Sequence, residues 1–295
     1  MLNGVQAATV ETALGPVEVA RAGAGKPVLF IHGTPGGWDS SLAMGRFLVE
    51  AGFEVIAPAR PGYQGTPLDG NATVDDQADL HAALLTSLRC ERAGVVTWSG
   101  GGPSGYRLAV RHPERVSALV AFAAVSHAFP EPKANVEERL MLNTAAGNWL
   151  LRFLAAHAPK QTIAATLRAE GNISKDELKA LASEAVEDER KLEVVLTMAS
   201  VCADHRRRGA GIANDWAEFG AIASLELEKV AVPTLVIGGT ADSDVPPEHS
   251  DYAAATIPNA EHLVMDRGTH LCLFVHPEAG AAQARAAATL AAGAD

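Results

Sequence analysis

The feature that most constrains this chain is an alternation of short apolar runs with amphipathic stretches, broken once and then resumed. From the start to about Phe129, the runs "PVLFIHG", "FEVIAPA", "AGVVTW" and "SALVAFAAV" read as buried strands. Between them, "SLAMGRFLVEAG" reads as a helix ending at Gly52, Val74 to Leu88 as a second, and Pro103 to Arg111 as a third, stopped by Pro113. Strands that alternate with helices are joined by crossovers, so they lie parallel with both sheet faces covered. Ahead of them, "TVETALGPVEVARAG" reads as a hairpin turning at Gly15-Pro16. Over 130–228 the strand signal vanishes and the patterns are helical. One of these helices opens with a capping box, Ser174 and Glu177, and then places Leu178, Leu181, Ala182 and Val186 on one face. "TLVIGGTAD" and "EHLVMD" restore the strand pattern, and an Ala-rich helix closes the chain. The expectation is an α/β core made of 1–129 and 229–295, with 130–228 inserted as a helical lid.

Charge and composition narrow the partners. A formal charge of −11 over 295 residues, 48% of them hydrophobic, describes an acidic globular protein. A nucleic-acid partner would need a basic stripe to displace counterions, and none is present. The one basic cluster, Arg206 to Arg208, reads as a solvated helix face or loop. The longest apolar run, near "SALVAFAAV", is far short of the roughly 18 residues that suggest a membrane span. The N-terminus has no basic segment followed by an apolar core, so no secretory signal is expected. Cys90, Cys202 and Cys272 have neither metal-ligand spacing nor the look of a disulfide framework, which points to a reducing cytoplasm. His81 falls on the apolar stripe of its helix and reads as a packed, hydrogen-bonded core residue.

The stretch "VVTWSGGGPSGYRLA" carries two incompatible readings. From Gly100 it matches G-x-G-x-x-G, the turn that binds dinucleotides. That site needs an acid about 20 residues on to bind the ribose, and Arg115 to Phe129 contain none. Around Ser99 it reads as a nucleophile elbow, a serine on a strained strand-to-helix turn among small residues. Gly101 fits that pattern; Thr97 is bulkier than the usual glycine. A serine hydroxyl is a poor nucleophile unaided, so it needs a base and a group to orient that base. After an elbow these follow in the order acid, then histidine, each past a strand end. Asp242 and His270 hold those places, with Asp244 as the alternative acid. His249, His262 and His276 read as structural or solvated. An oxyanion hole would take one donor from the Gly100 amide. The other would come from Thr34 in "HGTPGGW", since Pro35 has no N–H.

Together, "HGTPGGW", "ARPGYQGT", "TWSGGGPSG", "GGTADSDVP" and "DRGTH" resemble the α/β-hydrolase superfamily over nearly the whole chain. The resemblance implies a mostly parallel sheet of about eight strands and a helical cap after the sixth. It also implies a Ser99–Asp242–His270 triad, a Thr34 and Gly100 oxyanion hole, and no cofactor or metal. The expected activity is cleavage of carboxylic esters of small to medium, largely apolar molecules. Amide, peptide or carbon–carbon hydrolysis on the same triad is the alternative, and a non-catalytic ligand receptor is a third reading. Trp38, Trp98, Trp149 and Phe153 are candidate pocket residues. Trp149, Leu150, Phe153 and Leu154 either line an acyl pocket or, at helical spacing, hold the cap together and onto the core.

Overall fold

The computed structural model describes residues 4–131, 153 and 157–293. Eight strands form one sheet: β1 (Ala8–Thr12), β2 (Gly15–Gly23), β3 (Lys26–Ile31), β4 (Phe53–Pro58), β5 (Ala93–Trp98), β6 (Val116–Phe122), β7 (Thr234–Gly239) and β8 (Glu261–Met265). Their order is β1-β2-β4-β3-β5-β6-β7-β8. β2 pairs antiparallel with β1 and β4, and every later pairing is parallel. This is the mostly parallel sheet that the alternation predicts, with the eight strands that the resemblance implies. The first hairpin differs slightly. Thr12 pairs with Gly15, so the turn is Ala13-Leu14, and Gly15 and Pro16 already belong to β2. Gly15 enters that strand at φ +121°, a conformation glycine adopts without a Cβ penalty.

Along β3, Val28 and Phe30 join one apolar cluster while Leu29 and Ile31 join the other, as strand alternation requires. Both faces are therefore covered. β5, β6 and β7 are buried at every position, which explains why they read as unbroken apolar runs. The covering helices are α1 (Trp38–Glu50), α2 (Val74–Ser87) and α3 (Gly102–Arg111). Thr73 caps α2, its hydroxyl accepting from the Asp76 N–H while the Asp76 carboxylate accepts from the Thr73 N–H. His81, on the inner face of α2, is buried 3.4 Å from the Ser104 hydroxyl. Burial first, then the charge of Arg60, lowers its pKa to about 3. It is a neutral core histidine, as its position suggested.

Between β6 and β7 lie α4 (Pro159–Ala169), α5 (Lys175–Glu187), α6 (Glu189–Cys202) and α7 (Gly209–Ala221). The Ser174–Glu177 capping box forms, and Leu178 packs with Ile163, Val195 and Met198. Arg208 departs from the solvated reading of its cluster. It is buried, bonded to the Gly36 carbonyl and, at 2.7 Å, to Asp39. Arg206 and Arg207 are exposed. After β7 come α8 (Pro247–Thr256), α9 (Cys272–Val275) and α10 (Ala279–Ala292). No helix among the described residues is long and apolar enough to cross a membrane. Because β3, β5, β7 and β8 run parallel, their carboxyl ends deliver the loops carrying Thr34, Ser99, Asp242 and His270 to one edge.

Candidate active site

β5 ends at Trp98, and one 3₁₀ turn, Ser99–Gly101, joins it to α3. Ser99 takes φ +53°, a left-handed value that costs a non-glycine residue about 1–3 kcal/mol. The turn is held against the end of β3. A Cβ on Gly101 would sit 2.6 Å from the His32 carbonyl oxygen, and one on Gly33 would sit 2.7 Å from the Ser99 Cβ. Only glycine allows these approaches. Thr97 is accommodated from the helix side, because a Cβ on Gly105 would lie 2.7 Å from the Thr97 Cβ. The small residue that the strand lacks is supplied by α3. Among the described residues the Ser99 hydroxyl has no hydrogen-bond partner. Catalytic hydrogen bonds of this kind are commonly long before substrate binds.

Of the two acids after β7, Asp242 holds the histidine. Its Oδ2 accepts from the His270 Nδ1–H at 2.8 Å. Its Oδ1 accepts from the Asp244 and Val245 amides at 2.9 and 3.0 Å, which fixes the carboxylate plane. The His270 backbone N–H donates to the Glu170 carbonyl, and the His270 ring lies 5.3 Å from the Trp98 ring. Burial pushes the His270 pKa down. The charge and hydrogen bond of Asp242 outweigh it, Asp244 and Glu170 add to them, and the pKa rises to about 10. Glu170 is itself buried, with Oε2 lacking a partner among the described residues. Burial, then the charge of Asp244, holds its pKa well above the ordinary carboxylate range. Glu170, Asp244 and His270 each place a ligand-type atom within 4.8 Å of the others. With Nδ1 committed to Asp242, a metal there would need Nε2 and would withdraw the imidazole from proton transfer.

The loop after β3, the candidate oxyanion loop, carries a cis Thr34–Pro35 bond. Thr34 and Gly100 are neighbours, since a Cβ on Gly100 would overlap the Thr34 hydroxyl. Neither backbone amide donates to another described residue. The same added Cβ would lie 3.0 Å from Phe219 Cζ on α7, and Phe219 packs with Val125 and Val245. An apolar wall therefore borders the Ser99 turn. Sequence reasoning assigned no role to Phe219, nor to Arg60 and Asp215, a buried ion pair at 2.6 Å. A signal existed in "GIANDWAEFGA", where Gly211, Asp215 and Phe219 fall at four-residue spacing and form the buried stripe of α7.

The pocket candidates separate. Trp98 is buried against His270, its indole nitrogen without a partner among the described residues. Trp38 is half-buried and packs on the core. Phe153 is 44% exposed and stacks on His157, whereas Trp149, Leu150 and Leu154 lie outside the described residues. Of the remaining histidines, His249 Nδ1 accepts from the Ser126 N–H, and burial, then His127, lowers its pKa to about 4. His276 bonds the Asp266 carbonyl, and His262 lies in β8.

Comparison with known proteins places this geometry. The model of the alpha/beta hydrolase family matches residues 28–284. An alpha/beta hydrolase fold protein from Nakamurella multipartita superposes with a TM-score of 0.95 at 48% identity, covering 98% of this chain and 100% of its own. The 2-hydroxymuconate semialdehyde hydrolase of Pseudomonas putida is 30% identical, over 87% of this chain and 84% of its own length. A pimeloyl-[acyl-carrier protein] methyl ester esterase of Aromatoleum aromaticum is also 30% identical, over 77% of this chain and 84% of its own. A strained serine after the fifth strand, a buried Asp–His pair after the last two, and a family match running from β3 into the last helix lead to one conclusion: the chain belongs to the α/β hydrolase family.

Proposed function

We propose that the protein is a serine hydrolase that cleaves carboxylic esters of small to medium, largely apolar molecules. The observation that carries this reading is Ser99 at φ +53° on the strand-to-helix turn, with the buried Asp242–His270 pair packed against its neighbour Trp98. His270 takes the Ser99 proton as the hydroxyl oxygen attacks the ester carbonyl. Asp242 holds Nδ1–H, so the neutral base has its lone pair on Nε2, and stabilises the imidazolium once formed. The Thr34 and Gly100 amides receive the oxyanion. His270 then returns the proton to the leaving alcohol, and water repeats the sequence on the acyl-enzyme. Phe219, Val125 and Val245 offer an apolar wall for the substrate. The segment 130–228 acts as the lid, and α7 brings Phe219 to the nucleophile from it. Three unpaired cysteines support a reducing, cytoplasmic location.

A second reading, carbon–carbon hydrolysis, is supported by the 30% identity to the Pseudomonas putida hydrolase. Matched substrates separate the two. A 4-nitrophenyl butyrate kcat/KM at least about 100-fold above that for butyryl 4-nitroanilide and for 2-hydroxymuconate semialdehyde supports the esterase reading. Faster turnover of the semialdehyde replaces it with the carbon–carbon reading.

A further inference from the structure

A buried network joins the oxyanion loop to the helical segment between β6 and β7. Arg60, 1% exposed, spreads its guanidinium over three consecutive residues of the loop. Nε donates to the His32 carbonyl at 3.0 Å, and one terminal nitrogen donates to the Gly33 carbonyl at 3.1 Å and the Thr34 hydroxyl at 3.0 Å. The Arg60 N–H donates to His32 Nε2 at 2.9 Å, and His32 Nδ1–H donates to the Gly33 carbonyl at 2.8 Å. The guanidinium is in turn held bidentate by Asp215 on α7, at 2.7 and 2.6 Å. The same carboxylate accepts from the Tyr63 and Thr34 hydroxyls, both at 2.5 Å. Two backbone bonds reinforce the seat: Gln64 N–H to the Arg207 carbonyl and Gly211 N–H to the Gly62 carbonyl.

From this arrangement we propose that Arg60 and Asp215 are the positioning pair of the oxyanion hole, so that the Thr34 amide is correctly placed only when α7 is seated. The inference rests on the hydrolase reading above. Stability alone is a poor reason for such a pair, because a buried ion pair exchanged for apolar groups of similar volume is often neutral or stabilising. What apolar groups cannot supply is direction. A planar fork tied to three successive loop residues fixes where the Thr34 amide sits, and Asp215 fixes the fork. Misplacing a catalytic group by about 1 Å can cost about 100-fold in rate. Neither residue touches the reacting atoms. Their effect reaches the chemistry through the loop, so it falls on kcat and leaves KM nearly alone.

The test uses the full-length enzyme, 4-nitrophenyl butyrate and thermal melting. Asp215→Asn keeps the shape but removes the charge, and it should lower kcat about 10- to 100-fold with KM changed less than about threefold. Arg60→Met combined with Asp215→Leu should melt within a few degrees of wild type, yet keep the low kcat. Tyr63→Phe removes one donor from the same carboxylate without stranding a charge. It should lower kcat about 3- to 10-fold, and it decides the matter if the double variant does not fold. Recovery of kcat together with melting temperature in the double variant would overturn the proposal, as would wild-type kcat in both Asp215→Asn and Tyr63→Phe. A wild type inert toward the ester and toward a fluorophosphonate would instead overturn the hydrolase reading, and the clamp with it.

Discussion

Ser99 occupies a backbone angle that glycine adopts freely, and the proposed chemistry, which needs a hydroxyl, is the reason to keep a serine there. Ser99→Gly should therefore raise the melting temperature by about 1–4 °C while abolishing ester turnover, and a lowered melting temperature would contradict the strain. The acid can be tested directly. Asp242→Asn should cut kcat about 10⁴-fold by losing control of the imidazole tautomer, whereas Asp244→Asn should cost less than about tenfold. The raised pKa of His270 sets the pH dependence. The base must be neutral to act, so kcat/KM should fall as pH drops through a pKa above the ordinary 6.5, with activity still climbing into the alkaline range. The same shift stabilises the fold fully below about pH 6.5 and loses that contribution as pH rises through the folded pKa. A pH–rate profile flat from pH 5 to 8 would remove His270 from the mechanism. Ser99, Asp242 and His270 were legible because each follows a strand end that the sequence marks locally. Arg60 and Asp215 meet across 155 residues, and nothing beside either one in the chain announces the other.

At the scale of elements, the elbow works because α3 and β5 share one small-residue allowance. Thr97 takes up space on the strand, and Gly105 gives it back on the helix. Gly105→Ala should destabilise the protein by about 1–3 kcal/mol through overpacking, and adding Thr97→Gly should recover part of that loss. Chemical denaturation of the two single variants and the double measures the coupling. Additive losses would mean that the contact is not tight. Strands and long helices were readable from their periods, and the α5 start from its capping box. The hairpin was placed late because Gly15-Pro16 looks like a turn in isolation, yet its pairing with β1 makes it strand. Arg208 looked solvated for a similar reason. Two neighbouring arginines are exposed, and only the fold brings the Gly36 carbonyl and Asp39 to the third.

On the scale of the whole molecule, parallel strands gather four distant loops at one edge, and α7 packs against them from a segment whose described residues contribute no strand. That division follows from the chain's one break in alternation, which is why the general architecture could be read before any contact was known. The central claim is that this edge activates Ser99. Labelling with a fluorophosphonate, read by intact mass on wild type, Ser99→Ala and His270→Ala, tests it most directly. The account predicts a single adduct on wild type and none on Ser99→Ala. It also predicts labelling of His270→Ala slowed at least about 1000-fold, since nucleophile and base act as a unit. A folded wild type that takes no label, or a Ser99→Ala variant that labels as well as wild type, would contradict it.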